Sequence, residues 1–127
     1  MTTSTSLSPV HRRIVWGVRA LLALVFAAAG IAKLAGAPQM VQVFDAIGVG
    51  QWFRYLTGAI EVTGVVLLLK PAAGFLGGLM LAVTMICGAA THLFVIGGNP
   101  APAMVLAVMS AFVAWQLRPV SRFSAAS

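Results

Sequence analysis

Four long apolar runs decide what this chain can fold into. They cover residues 14–34, 51–69, 72–96 and 101–117. A helix needs about 20 apolar residues to cross about 30 Å of hydrocarbon, so each run is close to the length of a membrane span. The runs also lack the alternation of apolar and polar residues that is typical of barrel strands. The pattern therefore predicts an all-α, polytopic four-helix bundle in a membrane.

The composition supports a bilayer as the surrounding medium. The chain is 61% hydrophobic and 8% charged, whereas soluble domains carry about 25% charged residues. The formal net charge is +6, but the cations stand at the ends of apolar runs. A nucleic-acid-binding face would need them clustered on one solvated surface. We therefore expect the lipid bilayer as a partner and exclude nucleic acid.

Two short segments separate the later spans. Lys70-Pro71 is expected to end the second span, because proline cannot continue a helix but fits the first turn of the next one. Residues 97–100, Gly-Gly-Asn-Pro, form the next turn. The first run is longer than the 7–15 apolar residues typical of a signal peptide and contains Lys33, so we interpret it as a retained helix. The predicted divisions are a polar, basic tail at 1–13, one transmembrane domain at 14–118, and a tail at 119–127.

The connector between the first two spans has a helical apolar stripe. We predict a short amphipathic helix over 38–49 that lies in the membrane interface. An ordinary polar loop remains the alternative. The residues of the stripe are Met40, Val43, Phe44 and Ile47.

The distribution of cations predicts the orientation. Cytoplasmic loops of membrane proteins carry an excess of Lys and Arg. With both termini cytoplasmic, only Lys33 and Arg54 fall outside. We therefore predict a multi-pass protein of a bacterial inner membrane with both termini inside. The cations then inside are Arg12, Arg13, Arg19, Lys70, Arg118 and Arg122.

Charged residues within the apolar runs are the candidate functional residues, since a charge in hydrocarbon is costly unless partnered. At about 1.5 Å per residue, Arg19 and Glu61 lie roughly 8 and 12 Å from the inner side, and Lys33 and His92 roughly 28 and 30 Å. This predicts an inner Arg19–Glu61 layer and an outer layer of Lys33 and His92, with Arg54 and Asp45. Whether Glu61 pairs with Arg19 or with the outer layer stays open. So does the choice between a structural ion pair and a carboxylate that handles a ligand or proton.

The sequence offers little other chemistry. Cys87 is the single cysteine, and we find no hydrolase, nucleotide-binding or zinc-protease motif. His92 is more consistent with an interfacial hydrogen bond than with a cofactor ligand. We expect no metal, no catalytic residue and no cofactor, although quinone stays possible. Small residues that allow close helix contacts are Gly58, Gly64, Gly74 and Gly78.

The order of these elements resembles the DoxX and DoxX-like family. The similar pieces are Arg19, then Gly-Ile-Ala-Lys-Leu at 30–34, Gly-Ala-Ile-Glu-Val-Thr-Gly at 58–64, and Leu-Leu-Leu-Lys-Pro at 67–71, followed by His92. The similarity covers about residues 14–118. It implies a four-helix membrane protein whose polar positions fall on Arg19, Lys33, Glu61 and His92. Some members are associated with thiosulfate:quinone oxidoreductase or with other redox enzymes.

Two functions follow as expectations. The first is a non-catalytic accessory or scaffolding subunit of a larger membrane complex, such as a transporter or respiratory assembly. The second is a redox-linked protein that binds quinone or another lipid-soluble ligand near Glu61. Because the chain has almost no residues outside its apolar runs, the first is favoured, and an enzymatic activity is left open.

Overall fold

The computed structural model describes residues 8–119, and every regular element in that range is helical. A 3-10 turn at Pro71–Ala73 precedes the fourth helix, and a π-helical turn at His92–Ile96 follows it. The all-α prediction is confirmed. The five helices are α1 (Pro9–Ala35), α2 (Pro38–Ile47), α3 (Trp52–Leu69), α4 (Gly74–Thr91) and α5 (Ala101–Gln116).

Three helical segments are long and apolar enough to cross a membrane, judged by length and composition. They are Pro9–Ala35, Trp52–Leu69 and Pro71–Ile96. The fourth apolar helix, α5, is shorter. This architecture indicates a membrane protein.

The first helix begins earlier than its apolar run. Ser8 accepts a hydrogen bond from the backbone N–H of His11, and Pro9 occupies the first turn, an arrangement that starts helices. Helix α1 therefore extends into the segment expected to be a basic tail. Residues 1–7, and all of the predicted C-terminal tail except Pro119, lie outside the described range, as does Arg122.

The long helices pack as antiparallel neighbours in the order α1, α3, α4, α5, with α5 returning to α1. Lys33 of α1 lies beside Gly58 of α3, Gly64 of α3 beside Leu81 of α4, and Gly78 of α4 beside Ala114 of α5. The apolar side chains at the centre are fully enclosed and hold the bundle together. They are Leu22, Phe26, Leu68, Leu81 and Val113.

Glycines set the closest approaches between these helices. A Cβ at Gly77 would lie 2.6 Å from the backbone nitrogen of Leu68, closer than atoms can pack. Gly74 and Gly78 face Leu117 and Ala114 respectively. The Gly74–Gly78 face is therefore occupied by the chain's own helices, and it is not exposed for docking.

Candidate functional site

Arg19 closes one end of the bundle. Its Nε and Nη2 each donate at 2.8 Å, to the carbonyl oxygens of Leu68 and Lys70 respectively, and its guanidinium lies 3.8 Å from the ring centre of Trp16. Helix α3 ends here because Lys70 is extended and Pro71 follows, which leaves its last carbonyls without helical partners. Arg19 satisfies that of Leu68 and also donates to the carbonyl oxygen of Lys70, which accepts from the Ala73 N–H as well. Its positive charge suits a helix C-terminus.

The expected Arg19–Glu61 layer is wrong, and the helix register explains why. The predicted depths of Arg19 and Glu61 were counted from Ile14 at the start of the first apolar run and from Leu69 at the end of the second, which places Ile14 and Leu69 at the same level. In the structure, Arg19 is level with Leu68 and Lys70. Helix α1 is thus displaced by about five residues, roughly 8 Å at 1.5 Å per residue. This displacement separates Arg19 from Glu61.

Glu61 instead pairs with Lys33. The Lys33 Nζ lies 3.0 Å from the Glu61 Oε1, and the two side chains are 12% and 1% exposed. The helices approach closely here, since a Cβ at Gly30 would lie 3.3 Å from the Glu61 Cβ. Nearby, a Cβ at Gly58 would lie 3.0 Å from the Lys33 Cβ. Only one carboxylate oxygen of Glu61 accepts this bond, and the other retains its lone pairs.

The ion pair lies on the wall of a cavity of about 500 Å³. Helices α2, α3 and α4, the π-helical turn and the start of α5 all contribute side chains to it. Most of the wall is apolar, and the charged Lys33 and Glu61 stand on the same wall as His92. A mostly apolar cavity with a few converging polar groups is the usual form of a small-molecule site.

Helix α2 covers the cavity with the stripe seen in the sequence. All four residues of that stripe line the cavity, and Phe44 is buried with its ring edge-on to Phe53 at 5.8 Å. Left-handed glycines stand at both ends of α2, with φ of 75° at Gly36 and 87° at Gly48. Helix α2 is therefore a separate short helix, set over the cavity by two turns.

Arg54 and Gln51 hold this covering helix in place. Arg54 is 5% exposed; it donates to the carbonyl oxygen of Lys33 and, at 2.6 Å, to the Gln51 Oε1. The Gln51 amide donates in turn to the carbonyl oxygen of Val41 and to the Asp45 carboxylate. Arg54 and Asp45 thus lie at the same end as Lys33, where the outer layer was expected, but neither contacts Glu61.

His92 has a defined tautomer when it is neutral. Its Nδ1 lies 2.9 Å from the carbonyl oxygen of Gly97. A carbonyl oxygen only accepts, so Nδ1 must carry the hydrogen and Nε2 is left as an acceptor. The residue stands in the π-helical turn, a feature that often marks functional sites.

Three threonines on the cavity wall were not identified as candidate site residues from the sequence. Thr57, Thr84 and Thr91 line the cavity, and each hydroxyl donates at 2.8 Å to the carbonyl oxygen four residues earlier. Their hydrogens are therefore committed, and each oxygen offers only lone pairs. Threonine in an apolar helix is the signal that was available, but it is common and does not reveal which face meets a cavity.

The described residues contain no group of three or more His, Cys, Asp or Glu that could hold a metal ion. Cys87 is exposed and lines the cavity. The apolar wall of the cavity suits an apolar molecule, and Lys33, Glu61 and His92 on that wall are able to hydrogen-bond to a polar group.

The comparisons with known proteins give a family match. The family model described as the DoxX-like family matches residues 17–116. This confirms the resemblance found in the sequence, and the match runs from within α1 to the end of α5. No curated protein matches the chain, and no solved structure does.

Proposed function

This chain belongs to the DoxX-like family, and we propose that it is a four-helix membrane protein whose cavity binds a small lipid-soluble molecule with a polar group. The observation that carries the proposal is the position of the Lys33–Glu61 pair on the wall of an apolar cavity of about 500 Å³. Quinones and related ring lipids belong to the class of ligand that such a cavity suits. No catalytic step is part of the proposal.

The burial of the pair supports a binding role. Taking two charges out of water is costly, and their attraction offsets this cost only when their remaining lone pairs and hydrogens are also satisfied. Here the pair lies on the cavity wall, where its remaining lone pairs and hydrogens can meet a ligand. Desolvated charges of this kind mark substrate or ion sites in membrane proteins.

Filling the cavity tests the proposal. Thr57→Phe adds a ring to the cavity wall, whereas Thr63→Phe adds the same ring to an exposed position on the same helix. Thr63 also donates to the carbonyl oxygen four residues earlier, so the two variants lose matching hydrogen bonds. Mass spectrometry of lipids that co-purify in mild detergent should show a bound molecule in wild type and Thr63→Phe, and less in Thr57→Phe. Equal ligand content in all three proteins would contradict the proposal.

We further propose that all four long helices cross a bacterial inner membrane, with both termini cytoplasmic. Among the described cations, Lys33 and Arg54 lie toward one end of the bundle. The others lie toward the opposite end, and this excess supports the orientation; they are Arg12, Arg13, Arg19, Lys70 and Arg118. Cysteine labelling tests this on a Cys87→Ala background. Labelling of Ser8→Cys from the periplasmic side would contradict the orientation.

An accessory role in a larger complex is the second proposal. One face of α1 carries the small, exposed residues Gly17, Ala20 and Ala28, and no atom beyond its own helix and neighbours lies within 4 Å of the Cβ position of Gly17. Small residues allow another helix to approach closely. If this face binds a subunit, Gly17→Leu should remove co-purifying proteins while leaving the yield of folded protein unchanged. An unchanged set of co-purifying proteins would contradict the use of this face.

A further inference from the structure

The polar side chains on the cavity wall offer many hydrogen-bond acceptors and few donors. The carboxylate of Glu61 has one oxygen beyond its bond to Lys33, and the three cavity threonines have hydroxyl hydrogens committed to helix carbonyls. The Nε2 of neutral His92 is also an acceptor, because Nδ1 donates to Gly97. These five side chains therefore offer lone pairs and almost no hydrogens.

Lys33 is the exception on the wall. Its ammonium group has three hydrogens, and one is directed at Glu61 over 3.0 Å. Two hydrogens remain for a ligand. The thiol of Cys87 adds only a weak donor.

We infer that the cavity selects a ligand with a hydroxyl group, of the phenol or quinol class, over the corresponding carbonyl compound. A hydroxyl oxygen accepts from Lys33 while its hydrogen goes to Glu61 or to a threonine oxygen. A carbonyl oxygen accepts from Lys33 but has no hydrogen for the remaining acceptors. Those acceptors would then be desolvated without a partner, which costs free energy.

This inference rests on the proposed function, and it names the ligand's chemical class. It concerns binding only, and it assigns no electron or proton transfer to the protein. The same complementarity would admit any ring lipid with a suitably placed hydroxyl group. A decyl-substituted benzoquinol and the corresponding benzoquinone make a matched pair of probes, because they share one carbon skeleton.

Alkylation of Cys87 reports directly on cavity occupancy. Cys87 lines the cavity and is the single cysteine of the chain, so a bound probe should slow its reaction with an apolar maleimide. The measurement is made anaerobically on the full chain in lipid nanodiscs. Ile86→Cys on a Cys87→Ala background is the control, because position 86 is exposed and is not part of the cavity wall. Its alkylation should not respond to either probe.

We expect the quinol to protect Cys87 at concentrations at least about tenfold lower than the quinone, equivalent to about 1.4 kcal/mol. Protection by both probes at equal concentrations, or better protection by the quinone, would overturn the inference while leaving the proposed function in place. Protection by neither probe would overturn the inference as well, and the lipid content of Thr57→Phe and Thr63→Phe would then decide the proposed function. The two failures are thus distinguishable.

Two sets of variants test which side chains cause the preference for the quinol over the quinone. The double variant Thr57→Val, Thr84→Val removes two acceptors without changing shape much, and it should narrow the preference for the quinol. Thr63→Val, which loses the same type of hydrogen bond outside the cavity, should keep the full preference. An unchanged preference in the double variant would show that the oxygens of Thr57 and Thr84 are not the source of the preference for the quinol.

Glu61→Gln adds a hydrogen-bond donor at the position where the cavity has its carboxylate acceptor. The amide replaces a group that only accepts with one that also donates, so it should raise quinone binding relative to quinol binding. Melting temperatures of each purified variant establish that it is folded. If Glu61→Gln does not fold, the threonine variants still decide the question.

Discussion

The two ends of this bundle use buried charge in different ways. At the end that contains Arg19, the guanidinium donates to two backbone carbonyls and contacts Trp16. At the end that contains Lys33 and Glu61, two side chains bind each other beside a cavity. We refer to these as the Arg19 end and the cavity end. At the Arg19 end, the guanidinium is hydrogen-bonded to the chain itself. At the cavity end, Lys33 and Glu61 keep hydrogen-bonding groups that another molecule can use.

Glycine packing shows the same contrast along α4. At the Arg19 end, Gly77 meets the backbone of α3, so a Cβ would lie 2.6 Å from the nitrogen of Leu68. At the cavity end, the nearest atom to a Cβ at Gly88 is the Ala103 Cβ at 3.9 Å. The same residue type is required by close packing at one end and tolerated at the other. Helix α4 is thus packed more closely at Gly77 than at Gly88, although α1 and α3 also approach closely at the cavity end, at Gly30 and Gly58.

The largest effect is expected from Arg19→Met. This change leaves the buried carbonyl oxygen of Leu68 without a donor, which costs about 1–3 kcal/mol. It also removes the bond from the charged guanidinium to the Lys70 carbonyl oxygen, which keeps the Ala73 N–H and loses about 1.5–3 kcal/mol. We expect a loss of about 4 kcal/mol, seen as a large fall in melting temperature and in folded protein after detergent extraction. Arg118→Met is the matched control, because Arg118 is exposed and donates to its own helix end. Equal melting temperatures of the two variants would contradict a structural role for Arg19.

The Lys33–Glu61 pair should behave as a coupled unit. Glu61→Ala leaves the Lys33 ammonium without its partner, and we expect a loss of about 3 kcal/mol. The double variant Lys33→Met, Glu61→Leu removes both charges and should recover much of that stability, while ligand binding stays lost. The single variants Lys33→Met and Glu61→Leu complete a double-mutant cycle of unfolding free energies, which measures the coupling. Additive losses would show that the two side chains do not depend on each other.

The glycine contrast predicts a smaller difference between two alanine variants. Gly77→Ala forces α3 and α4 apart, and overpacking of this kind costs about 1–3 kcal/mol. Gly88→Ala meets no close atom and should be neutral or slightly stabilising, since alanine favours helix over glycine. Thermal unfolding of both purified variants tests this. Equal melting temperatures would contradict the account of close packing at Gly77.

The smallest effect is expected at Asp45. This carboxylate is exposed and accepts one hydrogen bond from Gln51, so Asp45→Ala should leave the melting temperature nearly unchanged. Comparing the melting temperatures of Asp45→Ala and Glu61→Ala tests whether the two acidic residues of the chain differ in their contribution to stability. A loss at Asp45 as large as the loss at Glu61 would show that the covering helix depends on its link to Gln51.

Local features of the fold could be predicted from the sequence. Lys70-Pro71 indicated the end of α3, and the spacing of Met40, Val43 and Phe44 indicated α2, because proline and helical periodicity act within a few residues. The structure bears out both, with α3 ending at Leu69 and α2 spanning Pro38–Ile47. These signals are local and need no knowledge of packing.

The partner of Glu61 could not be predicted in the same way. It depends on how far α1 slides along α3, and the ends of apolar runs do not determine that displacement. Close contacts at Gly30 and Gly58 determine the register, but glycine is too common in membrane helices to indicate which pairs meet. The cavity was equally inaccessible, because it exists only where α2, α3 and α4 leave a space between them.

The division of roles between the two ends is tested most directly by hydrogen–deuterium exchange of the full chain in lipid nanodiscs, with and without the decyl-substituted benzoquinol. The account predicts slower exchange on ligand addition in α2 and in the π-helical turn His92–Ile96, which belong to the cavity end. It predicts no change around Arg19 and in the 3-10 turn Pro71–Ala73. Equal slowing at both ends, or slowing confined to the Arg19 end, would contradict it.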